Sequence, residues 1–244
     1  MSNLKQLSAR ERIDLLLDDN SFVEIGAFVH ARSTDFNMTS IETPADGVIT
    51  GYGIIDGNLV YVYSQDASVM NGAIGEMHAK KITKIYELAL KVGAPVIGLV
   101  DCAGMRLQEA TDALNAFGEL YFKQTMASGV IPQITAIFGT CGGGVAMLPA
   151  LTDFTFMTKA NARLFVNTPN ALDNNEISKC DTSSCEYQST VCGAVDYAGE
   201  DEEDVLSKIR VLISLLPANC DDESDYTDCA DDLNRENPAL ADVK

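Results

Sequence analysis

An α/β fold built around a largely parallel sheet is what this sequence predicts, and three observations predict it. Apolar runs of strand length alternate along the chain with stretches of helical period. Two of those runs, PVIGLVDCAG and IPQITAIFGTCGGG, break into small residues and pass directly into helical stretches, the layout of strand, loop and helix in an open sheet. The composition, 46% hydrophobic with helix-forming and β-branched segments interleaved, is that of a soluble globular protein.

The elements follow in order. ARERIDLLLDDNSFVEIG predicts a short charged helix ending near Asp19 and Asn20, then a strand around Phe22 to Ile25. A polar stretch covers Arg32 to Pro44. GVITGYGIID and NLVYVYSQD alternate in period two and are separated by Asp56-Gly57, a strong hairpin signal. Between Ala73 and Val92, Ile74, Met77, Ile82, Ile85, Tyr86, Leu88 and Leu90 fall at helical spacing, with Lys80, Lys81 and Lys84 expected on other faces. PVIGLVDCAG is a buried strand, Ala110 to Ala127 a helix, IPQITAIFGTCGGG a second buried strand and VAMLPAL a short helix. DFTFMT and ARLFVN are further short strands, and Glu202 to Leu216 is a terminal amphipathic helix. Ligand sites in open α/β sheets lie at the carboxyl ends of strands, so the site is expected between Cys102 to Gln108 and Thr140 to Ala146.

Length and charge bound the function. The 244 residues suit one domain of about 200 residues, taken as 1–217, and an acidic tail, 218–244, with eight acidic residues between Asp221 and Glu236. Seventeen basic against 36 acidic residues give a net charge of −19, which repels nucleic acid and anionic membranes. A phosphate-bearing ligand must therefore be held by a few local cations and oriented backbone amides. Seven cysteines without paired CxxC spacing predict free thiols and no zinc or other metal site. No apolar run of signal or membrane length opens the chain, and a cytoplasmic location is expected.

Gly142, Gly143 and Gly144 stand between a strand and a helix, and several chemistries compete for them. Glycine here can simply allow tight packing. A dinucleotide site would want G-x-G-x-x-G early in the unit with an acidic residue about 20 positions on, and the spacing fails. Gly139-Thr-Cys-Gly-Gly143 matches a nucleophile elbow with Cys141 as nucleophile, yet the chain's two histidines, His30 and His78, both lie upstream, against the elbow's order. An oxyanion hole gains from a second feature, because Cys102-Ala103-Gly104-Met105-Arg106 also leaves a buried strand with small residues. Two facing amides would polarise a thioester carbonyl and stabilise its enolate.

YGIIDGNLVYVYSQDASVMNGAIGEMHAKKI, KVGAPVIGLVDCAGMRLQEATDAL and ASGVIPQITAIFGTCGGGVAMLPALTDFTFM, taken in that order, resemble the N-terminal, acyl-CoA-binding domain of biotin-dependent acyl-CoA carboxyltransferases. The likeness to propionyl-CoA carboxylase β subunits, the transcarboxylase large subunit and sodium-pump decarboxylases runs from about Leu15 to Pro217. It implies a crotonase-like (ClpP/crotonase) spiral of repeated ββα units. It implies an oxyanion hole from the Met105 amide and the Gly143 or Gly144 amide. Arg32, Lys80 and Lys81 match positions of basic residues near CoA, with solvated surface charge as the plainer reading; Ala103 and Gly104 would line the pantetheine channel. A carboxyl group would move between biotin, on a partner carrier protein, and the α-carbon of a short acyl-CoA of propionyl/methylmalonyl or acetyl/malonyl type. No enzymic base is implied, since the biotin ureido nitrogen takes the α-proton.

The expected partners are a separate biotin-binding carboxyltransferase subunit and the biotin carrier, in a hetero-oligomer for which a trimer-based ring is one expected form, peripheral to a membrane where a decarboxylase pump is involved. Three departures qualify this. The chain stops at Lys244, the family's C-A-G-G-A stands as Cys141-Gly-Gly-Gly-Val145 with Met105 in place of a small residue, and Asn170 to Gln188 diverges. Two other readings stay open. One is a stand-alone crotonase-like hydratase, isomerase or thioesterase using Glu109, and the other is a non-catalytic scaffold of a carboxylase complex.

Overall fold

The computed structural model describes residues 6–32, 42–168, 181–222, 229–232 and 234–238. Most of the polar stretch after Arg32 and most of the divergent region after Asn170 lie outside the described residues.

The chain opens with α1, Ala9–Leu16, started by a capping box in which Ser8 Oγ accepts from Glu11 N–H at 3.2 Å and the Glu11 carboxylate accepts from Ser8 N–H at 2.8 Å. It ends earlier than its periodicity suggests. Asp18 N–H leaves the helical pattern to bond Ile54 O at 2.8 Å, so pairing with the sheet overrides the last expected turn. β1 is correspondingly brief, Val23–Glu24, opposite Tyr52 and Gly51. A side chain at Gly51 would come within 2.2 Å of Val23 O, which is why glycine stands where this edge strand approaches.

β2, Val48–Ile55, and β3, Asn58–Gln65, form the predicted hairpin. Asp56 and Gly57 both take positive φ, 48° and 88°, as a type I′ turn requires. The long helix α2, Glu76–Val92, closes on Gly93 in the left-handed conformation. Then β4, Val96–Cys102, leads to α3, Ala110–Ala127, and β5, Gln133–Gly142, leads to the short α4, Met147–Ala150. β6, Phe154–Thr158, and β7, Arg163–Phe165, precede the single turn α5, Cys185–Tyr187. β8, Tyr197–Gly199, and α6, Glu202–Leu215, complete the order.

The strands make one sheet in the order β1-β2-β3-β4-β5-β6-β8, antiparallel through β3 and parallel beyond it. β7 leaves this path and pairs with the last residues of β5. Alternation in the strands sorts side chains into two cores. Val60, Val62, Ile97, Leu99, Ile134, Ala136 and Phe138 face α1 and α6, while Tyr61, Tyr63, Val96, Val100, Cys102, Ile137 and Cys141 face α2 and α3. Each fully buried aliphatic in these layers contributes about 1.5–3 kcal/mol relative to exposure.

A buried ion network ties the outer layer to the centre. Arg12 on α1 meets Glu202 of α6 at 2.7 Å and Asp101 of β4 at 3.4 Å, with its guanidinium 4.9 Å from the Phe138 ring centre. Asp101 Oδ1 in turn accepts from Thr140 N–H at 3.2 Å, across the register shift between β4 and β5. A side chain at Gly139 would sit 2.0 Å from that oxygen, so glycine makes room for the carboxylate.

The region after Pro217 begins against the body, with Asn219 Nδ2 donating to Gly93 O at 2.9 Å and Cys220 N–H to Val130 O at 2.9 Å. Among the described residues no helix is long and apolar enough to cross a membrane.

Candidate active site

The carboxyl ends of β4 and β5 lie side by side, with Cys102 opposite Cys141 in parallel register. The two turns that leave them touch. A Cβ at Gly104 would stand 3.4 Å from Gly142 O, and one at Gly142 would stand 3.4 Å from Ala103 O. This is the juxtaposition an oxyanion hole made from two loops needs.

Within the first turn, most backbone groups are committed. Ala103 N–H donates to Asn71 O at 3.0 Å, and Gly104 N–H lies 3.4 Å from Cys102 Sγ. Ile74 bridges the turn by donating to Gly104 O and accepting from Arg106 N–H, both at 2.9 Å. A trans peptide plane points its N–H away from its C=O. The Met105 amide therefore faces the side opposite Ile74.

In the second turn, parallel pairing uses alternate residues of a strand. Leu164 N–H goes to Ser183 O at 2.9 Å and Thr140 N–H to Asp101, so the β5–β7 ladder runs through Arg163 and Phe165. The Gly142–Phe165 register then directs Gly143 N–H toward Phe165. Gly144, one residue on, is exposed, and its carbonyl is held by the Tyr121 hydroxyl at 2.7 Å. Gly143 itself has φ 63°, with nothing within 4 Å of a Cβ built on it. That conformation is one glycine adopts at little cost.

The basic residues named above are not brought together as one cluster. Lys81 is buried, its ammonium donating to Ala45 O at 2.7 Å and to Val48 O. Its helix face, expected to be solvated, instead packs beneath the strand β2, and burial lowers its pKa to about 8. Arg32 and Lys80 are exposed and share one partner, Glu76, with Arg32 Nε at 2.6 Å and Lys80 Nζ at 2.6 Å. Those two cations lower the Glu76 pKa, the Lys80 hydrogen bond most. Lys80 also lines a cleft of about 140 Å³ with Glu76, Asp112, Asn115, Ala116 and Glu119.

Among the described residues, the candidate nucleophiles and bases near the two turns are buried or already engaged. Cys141 is fully buried, and burial raises its thiol pKa well above the usual range. Cys102 is pushed up to about 12 for the same reason. Both ring nitrogens of His78 are engaged, Nδ1 with Asp46 O at 2.9 Å and Nε2 with Gln65 Nε2 at 3.2 Å, and His30 Nδ1 meets Thr43 O at 3.0 Å. Glu109 is held by Arg106 Nη1 at 2.8 Å and caps α2 by accepting from Glu76 N–H at 2.5 Å. Among the described residues, no group of three or more His, Cys, Asp or Glu gathers as a metal site would.

Sequence reasoning missed Asp46 and the side chain of Arg106. Arg106 Nη1 meets Asp46 Oδ1 at 2.6 Å, and its Nη2 donates to Ala73 O at 3.0 Å. Both side chains are almost free of solvent, and burial raises the Asp46 pKa against the pull of Arg106. The available signal was PADG before a strand, which reads locally as a turn and hides a carboxylate aimed inward.

Fold and site together define a crotonase-like carboxyltransferase-type domain whose candidate donors are main-chain amides at two adjoining strand ends. The chain belongs to the carboxyl transferase domain family, whose model matches residues 5–244. It is 44% identical over 238 residues to the methylmalonyl-CoA decarboxylase subunit alpha of Veillonella parvula, covering 96% of this chain and 47% of that protein. It is 42% identical over 240 residues to the human mitochondrial propionyl-CoA carboxylase beta chain, covering 96% of this chain and 44% of that one. The transcarboxylase 12S crystal structure with hydrolysed methylmalonyl-coenzyme A bound superposes with a TM-score of 0.87 at 37% identity, over 98% of this chain and 46% of that chain. The chain thus spans about half the length of the relatives it matches.

Proposed function

We propose that this chain is the acyl-CoA-binding half of a biotin-dependent carboxyltransferase or decarboxylase acting on a short acyl-CoA of the propionyl/methylmalonyl class. The observation that supports the reading is the contact between the turns after β4 and β5, since Met105 and the exposed residue Gly144 follow those adjoining strand ends. Gly143 is the weaker second donor, because its N–H is directed along the β5–β7 ladder. Ala103, exposed, and Gly104 line the approach to those donors. Arg32 and Lys80 supply the cations for the CoA phosphates, and Lys81 supports the strand beneath them.

In this reading the thioester oxygen lies between the two amides, which stabilise the enolate formed when the α-carbon loses a proton or carbon dioxide. Losing one such donor costs about 3 kcal/mol of transition-state stabilisation. Biotin on its carrier supplies the carboxyl donor or acceptor and belongs to a second, biotin-binding carboxyltransferase half. A membrane subunit among the partners would make the chain a peripheral component of a decarboxylase. The names of the relatives, among them a methylmalonyl-CoA decarboxylase and a propionyl-CoA carboxylase, support this substrate class.

The test combines the chain with the biotin-binding half and the biotin carrier and follows carboxyl exchange on propionyl-, acetyl-, crotonyl- and glutaryl-CoA. Exchange strongest with propionyl-CoA is expected, and none with any of the four would overturn the reading. Activity of the isolated chain would instead favour a hydratase or thioesterase, and absence of acyl-CoA binding by calorimetry would favour a scaffold.

A further inference from the structure

We propose that Asp46, Arg106 and Glu109 form a buried positioning device that fixes the direction of the Met105 amide; this rests on the catalytic reading given above. The direction of that amide is set by its peptide plane, whose carbonyl, Gly104 O, is held by Ile74 N–H at 2.9 Å. Whatever holds Ile74 therefore holds the donor. Arg106 Nη2 grips Ala73 O at 3.0 Å on one side of Ile74, and Glu109 grips Glu76 N–H at 2.5 Å on the other. Arg106 joins the two grips through Glu109 at 2.8 Å, and Asp46 anchors Arg106 from the turn before β2 at 2.6 Å. Gly75 leaves room for the arrangement, since a Cβ there would meet Glu109 Oε1 at 2.4 Å and Arg106 Nη1 at 2.6 Å.

Two features separate this network from a simple stabilising ion pair. It places two carboxylates and one guanidinium nearly out of water, yet Asp46 Oδ2 and Arg106 Nε find no hydrogen-bond partner. Buried ionic groups of this kind are often replaceable by apolar side chains without loss of stability, so stability alone does not account for them. The shell around them also carries unusual backbone. Ala45, Asp46, Met70, Asn71 and Ala110 all have positive φ, five of the seven non-glycine residues in that state among those described. Residues in such conformations persist where surrounding contacts over-determine them. Here those contacts converge on Ala103 to Glu109, through Asn71 O on Ala103 N–H and Asp46 on Arg106.

The experiment uses the assembled enzyme with Asp46→Ala, Asp46→Asn and Glu109→Gln, reading kcat and KM for acyl-CoA together with hydrogen exchange over residues 102–109. Asp46→Ala is expected to lower kcat on the order of 100-fold, the loss typical of an ångström-scale misplacement, while KM stays within about threefold. Exchange at the loop should rise by roughly tenfold or more as local opening becomes easier. Asp46→Asn, which keeps an acceptor for Arg106, should recover most of both. Wild-type exchange in Asp46→Ala overturns the proposal, as does a kcat loss shared equally by Asp46→Asn and matched by its loss of thermal stability. If Asp46→Ala fails to fold, Glu109→Gln decides by the same readouts, with faster loop exchange and lower kcat expected. Should the wild-type complex show no carboxyl exchange, the catalytic reading falls, and loop exchange still decides whether the three side chains hold Met105.

Discussion

His78 allows a pH prediction whose sign and size both follow from its surroundings. The ring is wholly buried in α2, with Nδ1 donating to Asp46 O at 2.9 Å and Nε2 facing Gln65 Nε2 at 3.2 Å, an arrangement the neutral ring satisfies. Burial, and after it the charge of Arg106, lower its pKa from 6.5 to about 3. An unfolded chain takes up this proton near pH 6.5, whereas the folded chain refuses it until about pH 3. The contribution is therefore whole above about pH 6.5 and is lost as pH falls through that window. At about pH 4.5 the gap of roughly 2 units corresponds to about 3 kcal/mol. Asp46 acts in the opposite sense, because its raised carboxyl pKa restores stability on acidification. Comparison with His78→Asn cancels that term, since Asp46 is present in both proteins and the amide can still donate to Asp46 O. Urea unfolding near pH 7 and near pH 4.5 should show the wild type losing about 3 kcal/mol more than His78→Asn. A difference below about 1 kcal/mol would mean that the ring charges inside the fold, and the neutral-histidine account would be refuted.

Three further outcomes are expected. Arg12→Leu leaves Asp101 and Glu202 buried without their cation and should cost about 3–5 kcal/mol in urea unfolding; a loss below about 1 kcal/mol would mean that water reaches the pair. Alkylation of the native protein near pH 8 should modify Cys192, Cys220 and Cys229 and spare Cys102, Cys141 and Cys185, since the first three are exposed and burial raises the pKa of the others. Fast labelling of Cys141 with loss of activity would revive a thiol mechanism. Glu76→Gln frees Lys80 and leaves Arg32 only its longer pair with Asp112 at 3.7 Å, and should lower KM for acyl-CoA roughly two- to threefold at low salt, while Arg32→Ala raises it, both effects shrinking as salt increases. Unchanged KM in both variants would remove these cations from the binding site.

Much of the fold was legible because it is written in period and punctuation. The Asp56-Gly57 hairpin, the helix Ala110–Ala127 and the two strands that end at the site lie where alternation and glycine place them. α1 was overestimated because its last predicted residues are claimed by the sheet, a contact between segments about 36 residues apart that no local pattern encodes. Lys81 was misplaced for a related reason. Lysine is rarely buried, and only the fold reveals the two carbonyls that hold its ammonium. The meeting of the two turns could be anticipated from strand order, whereas their hydrogen bonds could not. Gly143 and Gly144 look alike in sequence, yet the β7 register engages the first, and the second is exposed with its carbonyl held by Tyr121.

The least legible part of the site is also the part on which its proposed chemistry depends. A side-chain catalyst announces itself by residue type, and its direction can be adjusted by rotamers. A main-chain amide has neither property, because every residue but proline carries one and its direction is fixed by the adjoining peptide planes. Chemistry built on such donors moves the burden of precision from the donor to whatever clamps the backbone around it. In the proposed arrangement that burden falls on Ile74, Ala73 and Glu76, held by Arg106 and Glu109, with positive-φ backbone at Asp46, Met70, Asn71 and Ala110 nearby. Each such conformation costs on the order of 1–3 kcal/mol, so the surrounding core must over-determine it. The rigid parallel pair β4 and β5, anchored by Asp101 to α1 and α6, is the part of the fold able to do so. The network around Asp101 and the network around Asp46 thus act on the same strand ends from opposite faces of the sheet.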